Sequence, residues 1–221
     1  MSEKLDREAI AALRRSYGEA GLVSAPTDPY ELFHQWLKEA VENPIIVEAN
    51  AMVLSTVDND QPVSRTVLLK DVTPQFTLSF FTNYNSRKAN HIEANNHVSL
   101  LFPWFAMERQ VIILGTAKKV SREASDAYFQ SRPWGSQIGA WSSEQSADLD
   151  SREELEVRYV EFAKKYPEGS PVPTPPHWGG YEVVPTSIEF WQGRYSRLHD
   201  RVRYIAASSA PTGWEVKRVN P

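Results

Sequence analysis

The 221-residue sequence predicts a mainly β, α+β protein, an antiparallel β-barrel with peripheral helices. Three observations carry this expectation. Short runs rich in β-branched and aromatic residues follow one another across turn clusters. Helical stretches interrupt them irregularly, without the strand–helix alternation of a parallel sheet. A chain of this length can bury about 70% of the surface its unfolded form exposes, so one core needs no metal or disulfide staple.

The first 25 residues read as a mobile, loosely held N-terminal segment, and residues 26–221 as a single domain. In the segment, Leu5 to Tyr17 has helical spacing, with Ile10, Leu13 and Tyr17 along one face. Asp28 and Pro29 form a helix start, a cap followed by proline at the first helical position. The helix to Glu42 puts Leu32, Phe33, Trp36, Leu37 and Ala40 on one stripe, and Asn43-Pro44 stops it. Strands are expected at Ala51 to Val57, Val63 to Lys70 and Phe76 to Thr82, with a turn cluster at Asp58 to Pro62. Ser86 caps a short helix from Arg87 to Asn95. Val98 to Phe102 and Gln110 to Val120 read as strands. Ser121 opens a helix to Gln130, closed by Pro133, and Ser151 another from Arg152 to Tyr166, with Leu155, Tyr159, Phe162 and Ala163 inward. After a proline-rich loop come strands at Gly180 to Val184, Ser187 to Gln192, Val202 to Ile205 and Trp214 to Arg218.

Composition excludes several functions. With no cysteine there is no thiolate nucleophile and no Cys-ligated zinc or iron–sulfur cluster. A formal charge of −4 argues against a nucleic-acid partner. No apolar run approaches the roughly 18 residues of a membrane span, and Met1 to Arg15 lack the apolar core of a signal peptide, so a cytoplasmic location is expected. The five histidines have no metal-ligand spacing, so no metal site is expected. Phosphate-loop, dinucleotide-binding and nucleophile-elbow motifs are missing.

The cations are grouped. Arg65 and Lys70, five apart, would face opposite sides of a regular strand, so a shared ligand requires a bend. Arg87 and Lys88 begin a helix, where free N–H groups suit a phosphate; solvated charges are the alternative. Tyr128, Arg132 and Ser136 lie near Trp134 and Trp141, followed by Gln145 and Ser146, and suit an oxyanion or a capped loop packed on the tryptophans. Arg197, His199, Arg201 and Arg203 alternate and would share one strand face. Such a row of cations suits an opposing anion or a charge-protected edge strand. Three basic clusters in an acidic chain point to small anionic ligands.

The motifs RTVLLK (65–70), FTN with SRK (81–83, 86–88), ERQV (108–111), SRP with SQIGAW (131–133, 136–141), WGGY (178–181), and IEFWQG with RLHDR (188–193, 197–201) occur in order. Together they resemble the pyridoxine 5′-phosphate oxidase family from about residue 14 to the C-terminus. The resemblance implies a split β-barrel homodimer with FMN at the subunit interface. It implies oxidation of pyridoxine 5′-phosphate or pyridoxamine 5′-phosphate to pyridoxal 5′-phosphate by O₂, with release of H₂O₂. Arg65, Val67, Leu68, Lys70, Phe81, Thr82, Arg87, Lys88, Gln110, Gln145, Ser146, Trp191 and Arg201 match FMN-contacting positions. Lys70, Tyr128, Arg132 and Ser136 match the substrate-phosphate grip, and Arg197, Leu198 and His199 the substrate ring, with Arg197 and His199 as catalytic candidates. Arg14, Arg15, Ser16 and Tyr17 resemble a segment that folds over the substrate. Three departures stand out: Phe81 where many members have tyrosine, Arg194-Tyr195-Ser196, and the ending Arg218 to Pro221. Two rivals are a split-barrel reductase with another substrate and a non-enzymatic carrier of pyridoxal 5′-phosphate.

Overall fold

The computed structural model describes residues 7–13, 16–19, 21, 22 and 24–221. Arg14 and Arg15 therefore lie outside the described residues. The elements run α1 (Arg7–Ala11), α2 (Pro29–Glu42), β1 (Ala51–Asp58), β2 (Gln61–Leu68), β3 (Asp71–Val72), β4 (Leu78–Asn83), α3 (Arg87–Ala94), β5 (His97–Trp104) and β6 (Arg109–Lys119). Then follow α4 (Arg122–Gln130), α5 (Trp134–Ser142), α6 (Arg152–Lys165), β7 (Trp178–Gln192), β8 (Asp200–Ala206) and β9 (Trp214–Val219). Every strand pairing is antiparallel. The expected mainly β architecture with peripheral helices is what forms.

The sheet order is β2-β1-β5-β6-β7-β4-β3, with β8 and β9 branching from β7. β7 is the spine. Along one edge it pairs with β6 from Tyr181 to Gln192. Along the other it pairs first with β4, over residues 178–183, and then with β8, over 187–192. The sheet splits where one neighbour gives way to the other.

Alternating residues fill the interior. Met52, Leu54, Leu100, Phe102, Val111, Ile113, Ile188 and Phe190 are fully buried. α2 closes one end. Asp28 accepts from the Tyr30 N–H at 2.9 Å, and Phe33 packs edge-on against Phe76 and Phe102 at 5.3 and 5.1 Å. A second cluster, Phe129, Ile138, Val172 and Trp178, holds α4 and α5 against the strands. Leu155, Tyr159, Phe162 and Ala163 of α6 are only half-buried.

Several elements differ from the sequence expectation. Among the described residues the first helix covers Arg7–Ala11 and does not reach Tyr17; Ile10 and Leu13 are exposed. The first hairpin turns on Asn59 and Asp60 alone, both at positive φ, so β2 begins two residues early and ends before Lys70. Pro62 is tolerated there because β2 is an edge strand. Pro133 does not end structure; it precedes α5, a helix masked in the sequence by Gly135 and Gly139. The two strands expected at 180–184 and 187–192 are one strand, β7, which absorbs Pro185 at a register shift opposite Leu114 and Gly115. β8 begins only at Asp200, so Arg197 and His199 do not share its face with Arg201 and Arg203.

The register shift requires Gly115. A Cβ there would fall on the Val184 carbonyl oxygen inside van der Waals contact, and backbone cannot yield cheaply. Gly115→Ala is expected to destabilise the fold by about 1–3 kcal/mol. Chemical denaturation measures this, and an unchanged midpoint would contradict it.

Candidate active site

One cavity of about 690 Å³ gathers many of the expected residues. Val67, Leu68, Lys70, Phe81, Thr82, Lys88, Tyr128, Arg132, Ser136 and Gln145 all line it. The bend that the sequence demanded after Arg65 is present. The chain leaves β2 after Leu68, and the Lys70 N–H donates to Ser79 O at 2.8 Å. Lys70 therefore faces the cavity, while Arg65 turns to Leu54 O and Thr56 Oγ1 at 3.1 and 2.7 Å.

An aromatic stack forms one wall. Phe81 packs against Tyr128 at 4.1 Å and Trp178 at 5.5 Å, with interplanar angles of 22° and 12°, and Tyr128 and Trp178 meet each other at 6.2 Å. Phe81 reaches this position because its cross-strand partner is Gly180; a Cβ there would sit 2.7 Å from the Phe81 ring. Phenylalanine in place of tyrosine thus keeps the ring and its packing. Arg132 caps Trp178 at 4.7 Å, and Lys70 lies 5.9 Å from the Tyr128 ring. Arg132 Nη1 is buried without a hydrogen-bond partner, and burial holds the guanidinium below its ordinary pKa.

The second wall is cationic. Lys88 is buried, and its ammonium donates only to neutral oxygens: Thr82 Oγ1 at 3.1 Å, Ser86 Oγ at 3.3 Å and Gln145 Oε1 at 2.9 Å. Burial pushes its pKa down to about 8, with the Arg65 charge adding to the effect. Burial and Arg87 likewise push the Arg65 guanidinium down. Arg65, Arg87 and Lys88 thus form a mutually repelling set, which an anion would stabilise. Arg87 reaches Asp58 at 3.0 Å and does not line the cavity.

A second group forms elsewhere. Tyr17 packs edge-on against Trp191 at 5.7 Å and His199 at 5.4 Å, and Trp191 lies 4.7 Å from His199. Gln110 is the cross-strand partner of Trp191. The Gly18 N–H donates to Glu108 at 2.9 Å, and the Tyr195 N–H to Gly18 O at 3.1 Å, so the N-terminal segment lies across this group. His199 Nδ1 accepts the Arg194 N–H at 3.1 Å, which leaves the Nε2 side as donor on a neutral ring. Burial, with the Arg197 charge second, holds the His199 pKa below its ordinary value. Arg197 adopts φ +62°, and Ser146 φ +75°, both in the left-handed region. Leu198 and Ser16 are exposed.

Arg201 is committed within the chain. It makes a two-pronged pair with Glu189 at 2.9 and 2.7 Å and donates to Asn220 O. Arg203 holds the other oxygen of Glu189. The anion that the row of cations required is Glu189.

The two groups are far apart in one chain. Trp178 lines the cavity and Trp191 stands beside His199, thirteen residues along the same strand. That is roughly 40 Å of strand path at about 3.3 Å per residue. Trp178 itself carried a signal in the sequence, an aromatic before two glycines where another ring approaches the backbone. Asn83 and Ser131, which lie within the FTN and SRP motifs, also line the cavity, as does Ser143, which carried no signal. Among the described residues, no group of three or more His, Asp or Glu is placed to hold a metal ion. No helix among them is long and apolar enough to cross a membrane.

Comparison with known proteins fits this geometry. Residues 37–166 match the family model described as pyridoxamine 5′-phosphate oxidase, and residues 178–221 the model described as pyridoxine 5′-phosphate oxidase C-terminal dimerisation region. A pyridoxine/pyridoxamine 5′-phosphate oxidase of Streptomyces avermitilis is 46% identical over 98% of this chain and 99% of its own length. One from Rubrobacter xylanophilus is 51% identical over 97% and 98%. The crystal structure of PhzG from Burkholderia lata, in complex with tetrahydrophenazine-1-carboxylic acid, matches with a TM-score of 0.81 at 27% identity, over 90% of this chain and 95% of that one. A pyridoxamine 5′-phosphate oxidase-related, FMN-binding protein from Nostoc punctiforme shares the fold, with a TM-score of 0.67 at 18% identity over 91% and 100%. With both family models matched in sequence order and relatives about half identical over nearly their whole length, the chain belongs to the pyridoxamine 5′-phosphate oxidase family.

Proposed function

We propose that this chain is an FMN-dependent oxidase that forms pyridoxal 5′-phosphate from pyridoxine 5′-phosphate or pyridoxamine 5′-phosphate, in vitamin B6 salvage and biosynthesis. The observation that carries the reading is an aromatic-walled cavity lined by Lys70, Lys88 and Arg132, with Arg65 and Arg87 grouped behind Lys88. Arg65, Arg87 and Lys88 suit the phosphate of FMN. Lys70 and Arg132, with the hydroxyls of Tyr128 and Ser136, suit the phosphate of the substrate. The burial of the Arg132 charge and the mutual repulsion of the first set are what bound phosphates would relieve.

The alcohol substrate gives up a hydride and a proton, and O₂ takes them up as H₂O₂; the amine substrate also takes up water and releases ammonia. When bound, the flavin supplies the hydride acceptor and the reaction with O₂. The chain's own residues bind and orient. Val67, Leu68 and Gln145 line the cofactor side of the cavity. Ser146 is assigned to the cofactor beside Gln145, and Gln110, Trp191 and Arg201, the last held by Glu189 within its own chain, are assigned to it from a second chain. Arg197 and His199 hold the substrate ring, His199 offering its Nε2–H, while Tyr17 and its neighbours cover it. A homodimer with the cofactor at the interface is part of this reading, supported by the separation of the two groups along β7 and by the dimerisation region matched at 178–221. Phosphorylated substrates do not cross membranes freely, so the expected location is cytoplasmic.

The direct test is an O₂-dependent assay on both phosphorylated substrates with added FMN, reading peroxide and aldehyde. Arg197→Ala is expected to lower kcat/KM roughly 10- to 100-fold, the loss of one charge-assisted contact, while FMN is retained. Equal loss of FMN would contradict the assignment. No turnover of either substrate by FMN-loaded protein would overturn the proposed function.

The Lys88 shift gives a pH dependence. Between about pH 8 and the ordinary lysine range, folded FMN-free protein has lost a proton that the unfolded chain keeps, so the Lys88 contribution to stability rises with pH there. An anion needs that proton. FMN affinity is therefore expected to fall above about pH 8, by up to about tenfold per pH unit. Lys88→Met should bind weakly and without this limb. Flavin fluorescence titrations from pH 6.5 to 9.5 read the effect, and a flat wild-type profile would contradict it.

A further inference from the structure

We propose that His91 is a positioning residue for the cofactor-phosphate site. Its imidazole bridges Thr56 and Asp58, and through them it fixes the Arg65 and Arg87 guanidiniums relative to each other. The inference rests on reading Arg65 and Arg87 as phosphate-binding.

His91 is buried on α3, with Nδ1 2.9 Å from Thr56 Oγ1 and Nε2 3.3 Å from Asp58 Oδ2. Thr56 Oγ1 accepts from Arg65 Nη1 at 2.7 Å, and Asp58 Oδ2 accepts from Arg87 Nη2 at 3.0 Å. Arginine can only donate and carboxylate can only accept. Arg65 therefore donates to Thr56, whose own hydroxyl also lies 3.5 Å from Val63 O. Asp58 accepts from Arg87 and from the His91 Nε2–H. Thr56 Oγ1 and His91 Nδ1 share the hydrogen bond that joins the two ends.

Thr56 and Asp58 of β1 face the ring, and each carries one guanidinium, Arg65 of β2 and Arg87 of α3. The arrangement answers a physical problem. Arg65 and Arg87 repel each other, and both Arg87 and Lys88 stand at the positive end of a helix. Arg87 is also 63% exposed, so its long side chain is free to swing away from an anion. Asp58 restrains it without lining the cavity. The Asp58 carboxylate lies beside the Asn59-Asp60 turn, and His91 provides it with a donor from the buried side. The hydrogen bond from Arg87, with His91 contributing, holds the Asp58 carboxyl below its usual range. The carboxylate therefore stays charged at neutral pH.

The test is FMN affinity of the FMN-free protein, read by flavin fluorescence quenching, in a double-mutant cycle. His91→Leu is expected to weaken binding about fivefold. His91→Gln, whose amide N–H stands in for Nε2–H, should restore affinity to within about twofold. In an Arg87→Ala background, His91→Leu should add nothing. Should His91→Leu fail to fold, Asp58→Ala at the half-exposed hairpin end is expected to show the same loss and the same silence beside Arg87→Ala. Wild-type affinity in these variants, or equal losses with and without Arg87, would overturn the inference alone. Wild-type protein that binds no FMN would overturn the proposed function and this inference with it.

Discussion

The antiparallel pairing of β7 is the constraint on which the rest of the molecule depends. Its fifteen residues hold β6 on one edge and β4 then β8 on the other. Hydrogen-bonded strands cannot slide by one residue without turning each side chain to the opposite face. The register therefore fixes Phe81 against Gly180 and Trp191 against Arg201 at once. It also fixes the separation of the cavity from the group around His199. Under the proposed function, a complete site then requires a second copy of the chain, with each copy contributing opposite ends of the spine.

Charge is distributed to serve the same end. The chain is net acidic, yet its carboxylates are used away from the cavity. Glu189 takes Arg201 and Arg203, Glu39 takes Arg109, and Asp58 takes Arg87 and His91. Among the described residues Lys88 meets only neutral oxygens, and Arg132 has aromatic rings beneath it. A buried ammonium held by hydroxyls and an amide is costly without an anion. The cavity is thus cationic in a protein whose overall sum is negative.

How much of this was legible in the sequence depended on how local the cause was. The cap and proline at Asp28 and Pro29 act within one turn, and the helix begins there. The need for a bend between Arg65 and Lys70 follows from strand geometry alone, and the chain does bend. The α5 helix was hidden because its glycines lower helix propensity, while burial of Ile138 and Gln137 stabilises it regardless. The continuity of β7 through Pro185 depends on a register shift with a strand some seventy residues earlier, which no local pattern reports. Arg201 looked like a ligand-facing cation; its partner Glu189 lies on the neighbouring strand and is visible only once the register is known. His91 was set aside for want of metal-ligand spacing, and its role emerges from Thr56 and Asp58, both distant in sequence.

The central claim is that one site is built from two copies of the chain, and subunit mixing tests it most directly. Arg132→Ala disables the cavity group and Arg197→Ala the group near His199. Each variant alone should be nearly inactive. If the site is shared, mixed dimers place one intact cavity against one intact partner group. Random reassortment should then recover about a quarter of wild-type activity, because half the dimers are mixed and each has one of two sites whole. No recovery after verified subunit exchange would show that each chain holds its own site and would contradict the account.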